Sequence, residues 1–289
     1  MILVTGSTGH LGQAVINYLL EKVPVNSIAA LARDENKAAD LKAKGVDVRI
    51  GTYDDYDSLV KAFKGIDKLL LVSSNDIQNR SKQQIDAINA AKEAGVQHII
   101  YTSANNRNPK DTVIPFIADS HTATEEYLKN AGINYTILRN NLYADVLPLF
   151  LGEQVLETGV FFPAGNGKVP FANRLNMAEA TANILTSDGH ENKVYALSSD
   201  ISYSLTDVAN VLSALSGKTV NYVDPTKEVY VETLTNAGVP ELYIGMFAGF
   251  AEAIKRDEFN LPDNTLEQLL GRKPTSLEEY LQTTFFSNN

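Results

Sequence analysis

The sequence predicts an α/β fold: a Rossmann-type, doubly wound parallel sheet with a smaller, mostly helical C-terminal lobe. Short apolar segments alternate with longer helical patterns through the first half of the 289 residues. Six consecutive strand–helix units in this sequence imply right-handed crossovers between parallel strands. After about residue 140 the segments become longer and mixed, and from Ser204 onward helices dominate. We therefore predict a sheet domain over residues 1–200 and a pocket-shaping lobe over residues 201–289.

The predicted strands are short apolar runs, as expected for parallel strands covered on both faces. They lie at residues 2–4, 27–32, 46–50, 68–73, 97–103 and 134–138, with a further strand near 193–198 returning to the sheet and an isolated one at 219–223. Apolar residues at helical spacing, and glycines that end a helix, predict the intervening helices. They lie at residues 11–22, 36–44, 56–63, 81–94 and 117–130, followed by helices near 145–157 and 177–186.

Charge and composition exclude several classes of function. The chain carries 25 Lys plus Arg against 35 Asp plus Glu, and it has no basic run. A net charge of −10 disfavours nucleic acid and anionic membrane surfaces as partners. The absence of cysteine removes thiolate nucleophiles and Cys-based zinc sites, and the four histidines are scattered, so no metal site is predicted. Without a long apolar run or a signal-peptide start, we expect a cytoplasmic protein.

A glycine-rich turn, GSTGHLG at residues 6–12, separates the first predicted strand from the first predicted helix. Gly6 permits a tight turn, Gly9 lets the backbone approach a pyrophosphate, and Gly12 lets the helix pack closely on the sheet. The helix N-terminus then presents N–H groups and the positive end of its dipole to the anion. The turn predicts a dinucleotide site whose contacts include Gly6, Thr8, Gly9, His10, Leu11 and Gly12.

The end of the second strand indicates which dinucleotide binds. NAD sites usually place an acidic residue there, whereas this chain has Arg33, followed by Asp34 and, one helical turn later, Lys37. A guanidinium binds a 2′-phosphate, so NADP(H) is predicted over NAD(H). Asp34 leaves open a contact to a ribose hydroxyl.

Short-chain reductases usually carry a catalytic tyrosine followed four residues later by a lysine, Tyr-x-x-x-Lys. This pair is missing from the expected helix. Of all tyrosines, only Tyr18 has a lysine four residues later, Lys22, and that pair follows the phosphate turn on the first helix. The helix expected to carry the pair reads DSHTATE at residues 119–125. Ketone reduction needs a positioned acid, but a quinone needs only a hydride, because its reduced anion is stable enough to take a proton from water. His121 is the weak candidate for a substitute acid near neutral pH.

These motifs resemble the NmrA-like, atypical short-chain dehydrogenase/reductase group, of the quinone oxidoreductase 2 and triphenylmethane reductase type. The resemblance extends over essentially the whole chain, including VTGSTGHLG at 4–12, LLLVSS at 69–74 and YTILRN at 135–140. It implies an NADPH site in which Gly6 to Gly12 hold the pyrophosphate and Arg33 the 2′-phosphate. Ser73 and Ser74 would then line the ribose path.

The resemblance further implies that Asn140 and Asn141 approach the nicotinamide and that Tyr143, the second weak catalytic candidate, faces the acceptor. The leading hypothesis is an NADPH-dependent enzyme that passes a hydride to a quinone or similar electron-poor small molecule, without metal or flavin. The alternative is a non-catalytic NADP(H)-sensing regulator that acts through a protein partner, as some NmrA-like proteins do. The sequence is compatible with a homodimer.

Overall fold

The computed structural model describes residues 1–286 and contains a seven-stranded, all-parallel sheet. The described strands are β1 (Ile2–Val4), β2 (Ile28–Ala32), β3 (Asp47–Ile50), β4 (Lys68–Leu71), β5 (His98–Ala104), β6 (Asn134–Asn140), β7 (Val160–Phe161), β8 (Lys168–Val169), β9 (Lys193–Leu197), β10 (Tyr203–Ser204) and β11 (Tyr222–Val223). The sheet order is β3-β2-β1-β4-β5-β6-β9, while β8 pairs with β10 and β7 with β11. The order reverses between β1 and β4, which is where open parallel sheets bind ligands.

Helices cover both faces of the sheet. Those described are α1 (His10–Leu20), α2 (Ala39–Ala43), α3 (Tyr56–Phe63), α4 (Arg80–Glu93), α5 (Pro115–Asn130), α6 (Leu147–Leu151), α7 (Val155–Thr158), α8 (Arg174–Leu185), α9 (Leu205–Ser216), α10 (Lys227–Asn236), α11 (Glu241–Lys255), α12 (Thr265–Leu270) and α13 (Leu277–Phe286). On one face α8 packs against both α1 and α12, and on the other α3, α4 and α5 pack side by side. Helices on both faces confirm the doubly wound fold.

The predicted strands of the main sheet are confirmed, with end shifts of one or two residues. The sixth strand runs to Asn140, two residues further than predicted, and the strand predicted near 193–198 joins the sheet beside it. The strand predicted at 219–223 is shorter, because only Tyr222–Val223 pair with β7. None of the helices within residues 1–286 combines the length and the apolar character needed to span a bilayer.

The helix predicted near 145–157 is wrong. That segment contains a 3-10 turn at Ala144–Val146 followed by two short helices, α6 and α7. Gly152 separates them with a φ of 77°, a left-handed value that ends a helix, and Pro148 lies in the first turn of α6. Apolar residues do recur at helical spacing in this segment, but the backbone leaves the helical conformation at Gly152, between α6 and α7.

The lobe has a hydrophobic core formed mainly by two separate stretches of the chain, to which Ile114 at the start of α5 is added. Residues from Ala144 to Phe171 pack in one cluster with residues from Leu205 to Leu281. In contrast, Leu266 of α12 packs back against the core of the sheet. The division of the chain at residue 200 stays a prediction. The packing groups residues 144–171 with the lobe, although they precede that boundary.

Candidate active site

The glycine-rich turn follows β1 directly and has the conformation that its first glycine predicts. Gly6 has a φ of 57°, and a Cβ there would lie 3.1 Å from Cβ of Val72, at the end of β4. The next side chain, Ser7, is buried, and its hydroxyl donates to the carbonyl of Leu31 at 2.7 Å. The turn is therefore held between β2 and β4, at the point where the strand order reverses.

The N-terminus of α1 leaves backbone donors for a ligand. The N–H of Gly9 donates to the carbonyl of Gly6, and the N–H of Gln13 donates to the carbonyl of Gly9, both at 2.9 Å. Helix geometry leaves the N–H groups between them, those of His10, Leu11 and Gly12, without intrahelical acceptors. Three consecutive donors at the positive end of a helix suit a phosphate.

The role predicted for Gly12 needs correction. A Cβ at this position would lie 2.3 Å from the carbonyl oxygen of Gly6 and 3.0 Å from Cα of Ser7. The glycine therefore allows the helix to approach the backbone of the turn itself, rather than the sheet. Because backbone atoms cannot move aside as a flexible side chain does, this position requires glycine.

Arg33 lies at the end of β2, exposed at the cleft, and no carboxylate within residues 1–286 forms an ion pair with it. Lys37 lines the same region. One carboxylate oxygen of Asp34 accepts the N–H of Asn36 at 2.8 Å, so this side chain stabilises the local turn. The end of the cleft beside β2 is therefore cationic.

A cleft of about 620 Å³ runs along the carboxyl ends of the strands. It brings together all the predicted cofactor contacts except Asn140 and Asn141. Its lining residues are Gly6, Thr8, Gly9, His10, Leu11, Gly12, Leu31, Ala32, Arg33, Lys37, Gly51, Thr52, Tyr53, Asp54, Val72, Ser73, Ser74, Asn75, Asp76, Gln83, Thr102, Tyr143 and Arg174.

Tyr143 lies in this cleft and Asn140 lies behind it. Asn140 is buried, and its Nδ2 donates to the hydroxyl of Tyr143 at 3.0 Å. Arg174 stacks on the Tyr143 ring, with its Cζ 5.0 Å from the ring centroid, and pairs with Asp145 at 3.3 Å. Burial raises the pKa of Tyr143, so the phenol stays protonated at neutral pH.

Asn141 faces away from the cleft. Its Nδ2 donates to the carbonyl of Phe259 at 3.0 Å, and its Oδ1 accepts the N–H of Leu142. Both ends of the amide are used to attach the loop after β6 to the lobe. The predicted contact with the nicotinamide therefore finds no support in its position.

Sequence reasoning missed a polar cluster at the other wall of the cleft. The hydroxyl of Tyr53 donates to the carbonyl of Val72 at 2.7 Å and lies 2.6 Å from Oγ1 of Thr5, which ties β3 to β1 and β4. Asp54 accepts from Nε2 of Gln83 at 2.7 Å. In the sequence, only the position of Asp54 just after β3 could have indicated this cluster, because Gln83 lies far along the chain on α4.

The two weak catalytic candidates lie in different cavities. His121 lines a second cavity of about 300 Å³, whereas Tyr143 lines the main cleft, and the two cavities share no lining residue. Burial, with a smaller contribution from the charge of Arg80, lowers the pKa of His121 to about 4, against the opposing effect of Glu125. The imidazole is therefore neutral at neutral pH and is not the acid that the sequence suggested.

This low pKa predicts a measurable loss of stability in acid. The folded chain keeps His121 neutral down to about pH 4, while the unfolded chain takes up a proton near pH 6.5. The unfolded state thus binds more protons as the pH falls, and stability decreases. Between pH 7 and pH 5 we expect the free energy of unfolding of the wild type to fall by about 2 kcal/mol more than that of His121→Gln. Urea titrations of both proteins measure this, and parallel curves would contradict it.

Comparison with known proteins assigns the chain to a family. The model of the NmrA-like family matches residues 1–282. Quinone oxidoreductase 2 of Escherichia coli is 38% identical over 290 residues, covering 100% of both chains. The structure of Citrobacter sp. triphenylmethane reductase complexed with NADP(H) superimposes with a TM-score of 0.91, 38% identity and coverage of 98% and 99% of the two chains. An NAD(P)H azoreductase of Xenophilus azovorans is 32% identical over 83% of this chain and 82% of its own length. The chain belongs to the NmrA-like family.

Proposed function

We propose that this protein binds NADPH in the main cleft and reduces a quinone or a similar flat, electron-poor acceptor by direct hydride transfer. The broader class, an NADP(H)-dependent oxidoreductase, follows from the full-length similarity to quinone oxidoreductase 2 and to a reductase solved with NADP(H). The quinone-like acceptor and the direct transfer are the finer part of the proposal.

The main support for the proposal is that one cleft combines free backbone N–H groups at the start of α1 with cationic side chains. The free N–H groups of His10, Leu11 and Gly12 suit a pyrophosphate, and unpaired Arg33 suits a 2′-phosphate beyond it. At the other end, Oδ1 of Asn140 is buried behind Tyr143 and has no hydrogen-bond partner within residues 1–286. The turn and the cations thus support binding of the pyrophosphate and the 2′-phosphate of NADPH.

The residues around the cleft support an acceptor that needs no strong acid. Tyr18 lies on α1 and is partly buried against the core of the sheet, away from the cleft. Helix α1 ends at Leu20, before Lys22, so the only Tyr-x-x-x-Lys match lies outside the cleft. On α5, the hydroxyl of Tyr127 donates to Asn89 on α4. When bound, NADPH would supply a hydride to a quinone, giving NADP⁺ and a hydroquinone monoanion that takes its proton from water. The residues of the protein have to bind the two reactants, align them and exclude water from them.

The direct test is oxidation of NADPH by the purified protein, with and without 1,4-benzoquinone. We expect quinone-dependent loss of absorbance at 340 nm above the rate without enzyme, and slower turnover with NADH. Tight NADPH binding without turnover on a panel of quinones would contradict the proposal. That outcome would favour the NADP(H)-sensing regulator and direct the search to a protein partner. A cytoplasmic location and a homodimer stay predictions.

A further inference from the structure

A second cavity lies between the loop after β5, α5 and Phe259 of the lobe. Its volume of about 300 Å³ is half that of the cleft and suits one small aromatic ligand. Apolar side chains and one imidazole form its walls, and charged groups surround them. The apolar residues are Ala104, Pro109, Ile114, Ile117, Ala118 and Phe259, and the charged ones are Arg107, Glu125, Glu126, Lys129 and Arg139.

This cavity adjoins the main cleft at the carboxyl end of β5. Thr102 lines the cleft and Ala104 lines the cavity, and two residues of one strand span about 7 Å. Arg80, which is buried, links the two sites. Its Nε donates to the carbonyl of Ser74 at 2.6 Å, and its Nη1 to Oγ of Ser120 at 3.4 Å. A ligand in the cavity would therefore lie next to the end of the cleft at Thr102.

His121 presents one ring edge to β5 and the other to this cavity. Its Nδ1 lies 2.7 Å from the hydroxyl of Tyr101, a residue with no solvent exposure. Thr124 and Gln84 also lie beside this hydroxyl. We assign the tautomer in which Tyr101 donates to Nδ1, which places the single proton of the neutral imidazole on Nε2. In the part of the chain described, Nε2 has no hydrogen-bond partner.

Burial is the main reason that the His121 ring stays neutral, and the nearby charges modify this effect. Arg80 from α4 opposes protonation and Glu125 from its own helix favours it, but two hydrogen bonds from Arg139 and one from Ser103 occupy the Glu125 carboxylate. Burial also raises the pKa of Tyr101, so the phenol keeps its proton to donate. Nε2 is thus an uncharged N–H donor with a fixed direction.

We propose that this cavity holds the electron acceptor and that Nε2–H of His121 donates a hydrogen bond to a carbonyl oxygen of a quinone. Tyr101 acts as a positioning residue, because it fixes the tautomer and the plane of the ring. The inference rests on the proposed function and narrows its substrate class to acceptors with a neutral oxygen on the ring. A cationic triphenylmethane dye, which has no such oxygen, gains nothing from this donor.

Variants of His121 test the hydrogen bond through kinetics. Loss of one preorganised donor to a developing oxyanion lowers kcat by about 100-fold. We expect this for His121→Leu with 1,4-benzoquinone, with partial recovery in His121→Gln, which keeps an N–H, and an intermediate loss in Tyr101→Phe. The affinity for NADPH should stay within about twofold, because a neutral group outside the cleft contributes little to it.

A matched control and a second substrate separate this role from a structural one. His98→Gln removes another buried histidine, which bonds Oγ1 of Thr136 at the amino end of β5, and should leave kcat unchanged. Reduction of crystal violet should not respond to His121→Leu. Equal loss with both acceptors, or unchanged kcat with benzoquinone, would overturn the proposal.

Binding of a quinone to the cavity can be measured without turnover. Because the chain contains no tryptophan, a single introduced tryptophan reports on its own surroundings. Phe259→Trp places a single fluorophore in the cavity wall, and 1,4-naphthoquinone should quench it saturably in the absence of NADPH. Tyr243→Trp, on the exposed surface of the lobe, should show only linear, collisional quenching. Adding Ala118→Phe to the Phe259→Trp protein should abolish saturation by filling the cavity. Linear quenching at position 259 would overturn the assignment of the cavity, whereas saturable quenching without turnover would reject only the proposed function.

Discussion

Gly12→Ala is expected to weaken NADPH binding by about 100-fold and to lower the free energy of unfolding by about 1–3 kcal/mol. The added Cβ would lie 2.3 Å from the carbonyl oxygen of Gly6, so the turn and the start of α1 have to separate. Separation moves the three free N–H groups away from the phosphates they would bind. Equilibrium titration of NADPH fluorescence measures the affinity, and urea unfolding measures the stability.

Gly245→Ala is the matched control for this substitution. Gly245 also lies inside a helix, α11, but a Cβ there meets no atom within 4 Å. Alanine favours helix over glycine, so this variant should be as stable as the wild type or more stable by up to about 1 kcal/mol, with unchanged NADPH affinity. An NADPH affinity of Gly12→Ala within threefold of the wild type would show that the turn does not hold the cofactor.

Arg33→Ala is expected to raise the Kd for NADPH about 30-fold while changing the Kd for NADH by less than threefold. A charge-assisted hydrogen bond contributes about 2 kcal/mol, and only NADPH carries the 2′-phosphate that would accept it. Because the site is exposed, 0.5 M salt should reduce the preference of the wild type for NADPH. Parallel titrations with both dinucleotides at low and high salt provide the measurement.

The control for Arg33 is Arg256→Ala, which removes an exposed arginine that pairs with Glu252 on α11, away from the cleft. This variant should leave the affinities for NADPH and NADH unchanged, which would show that the effect of Arg33→Ala does not come from the change in net charge alone. An equal loss of NADPH and NADH affinity in Arg33→Ala would remove this residue from the 2′-phosphate site and reopen the question of Asp34.

The parts of the site that could be predicted are those that depend on residues close together in the chain. The glycine spacing at 6–12 fixes a turn and a helix start within seven residues, and Arg33 follows a strand whose end is visible in the apolar pattern. These features depend on neighbours in the chain, so the sequence places them in the cleft where the structure has them. The main sheet is predicted for the same reason, since alternating strands and helices of this length have few ways to pack.

Features that depend on contacts between distant segments could not be predicted in this way. The periodicity of residues 145–157 did not reveal the break at Gly152, and the adjacency of Asn140 and Asn141 did not show that one contacts Tyr143 and the other Phe259. The role of Gly12 likewise depends on the position of the Gly6 carbonyl across the turn.

The sequence by itself determined the fold class, the glycine-rich turn and the cation beside it, because each is encoded by residues close together in the chain. Only the tertiary structure decided that His121 lines a second cavity and that it is neutral there. Its partner Tyr101 is 20 residues away, Arg80 lies on another helix, and Phe259 comes from the lobe. The protonation of a side chain depends on its burial and on the charges around it, and packing of remote segments sets both.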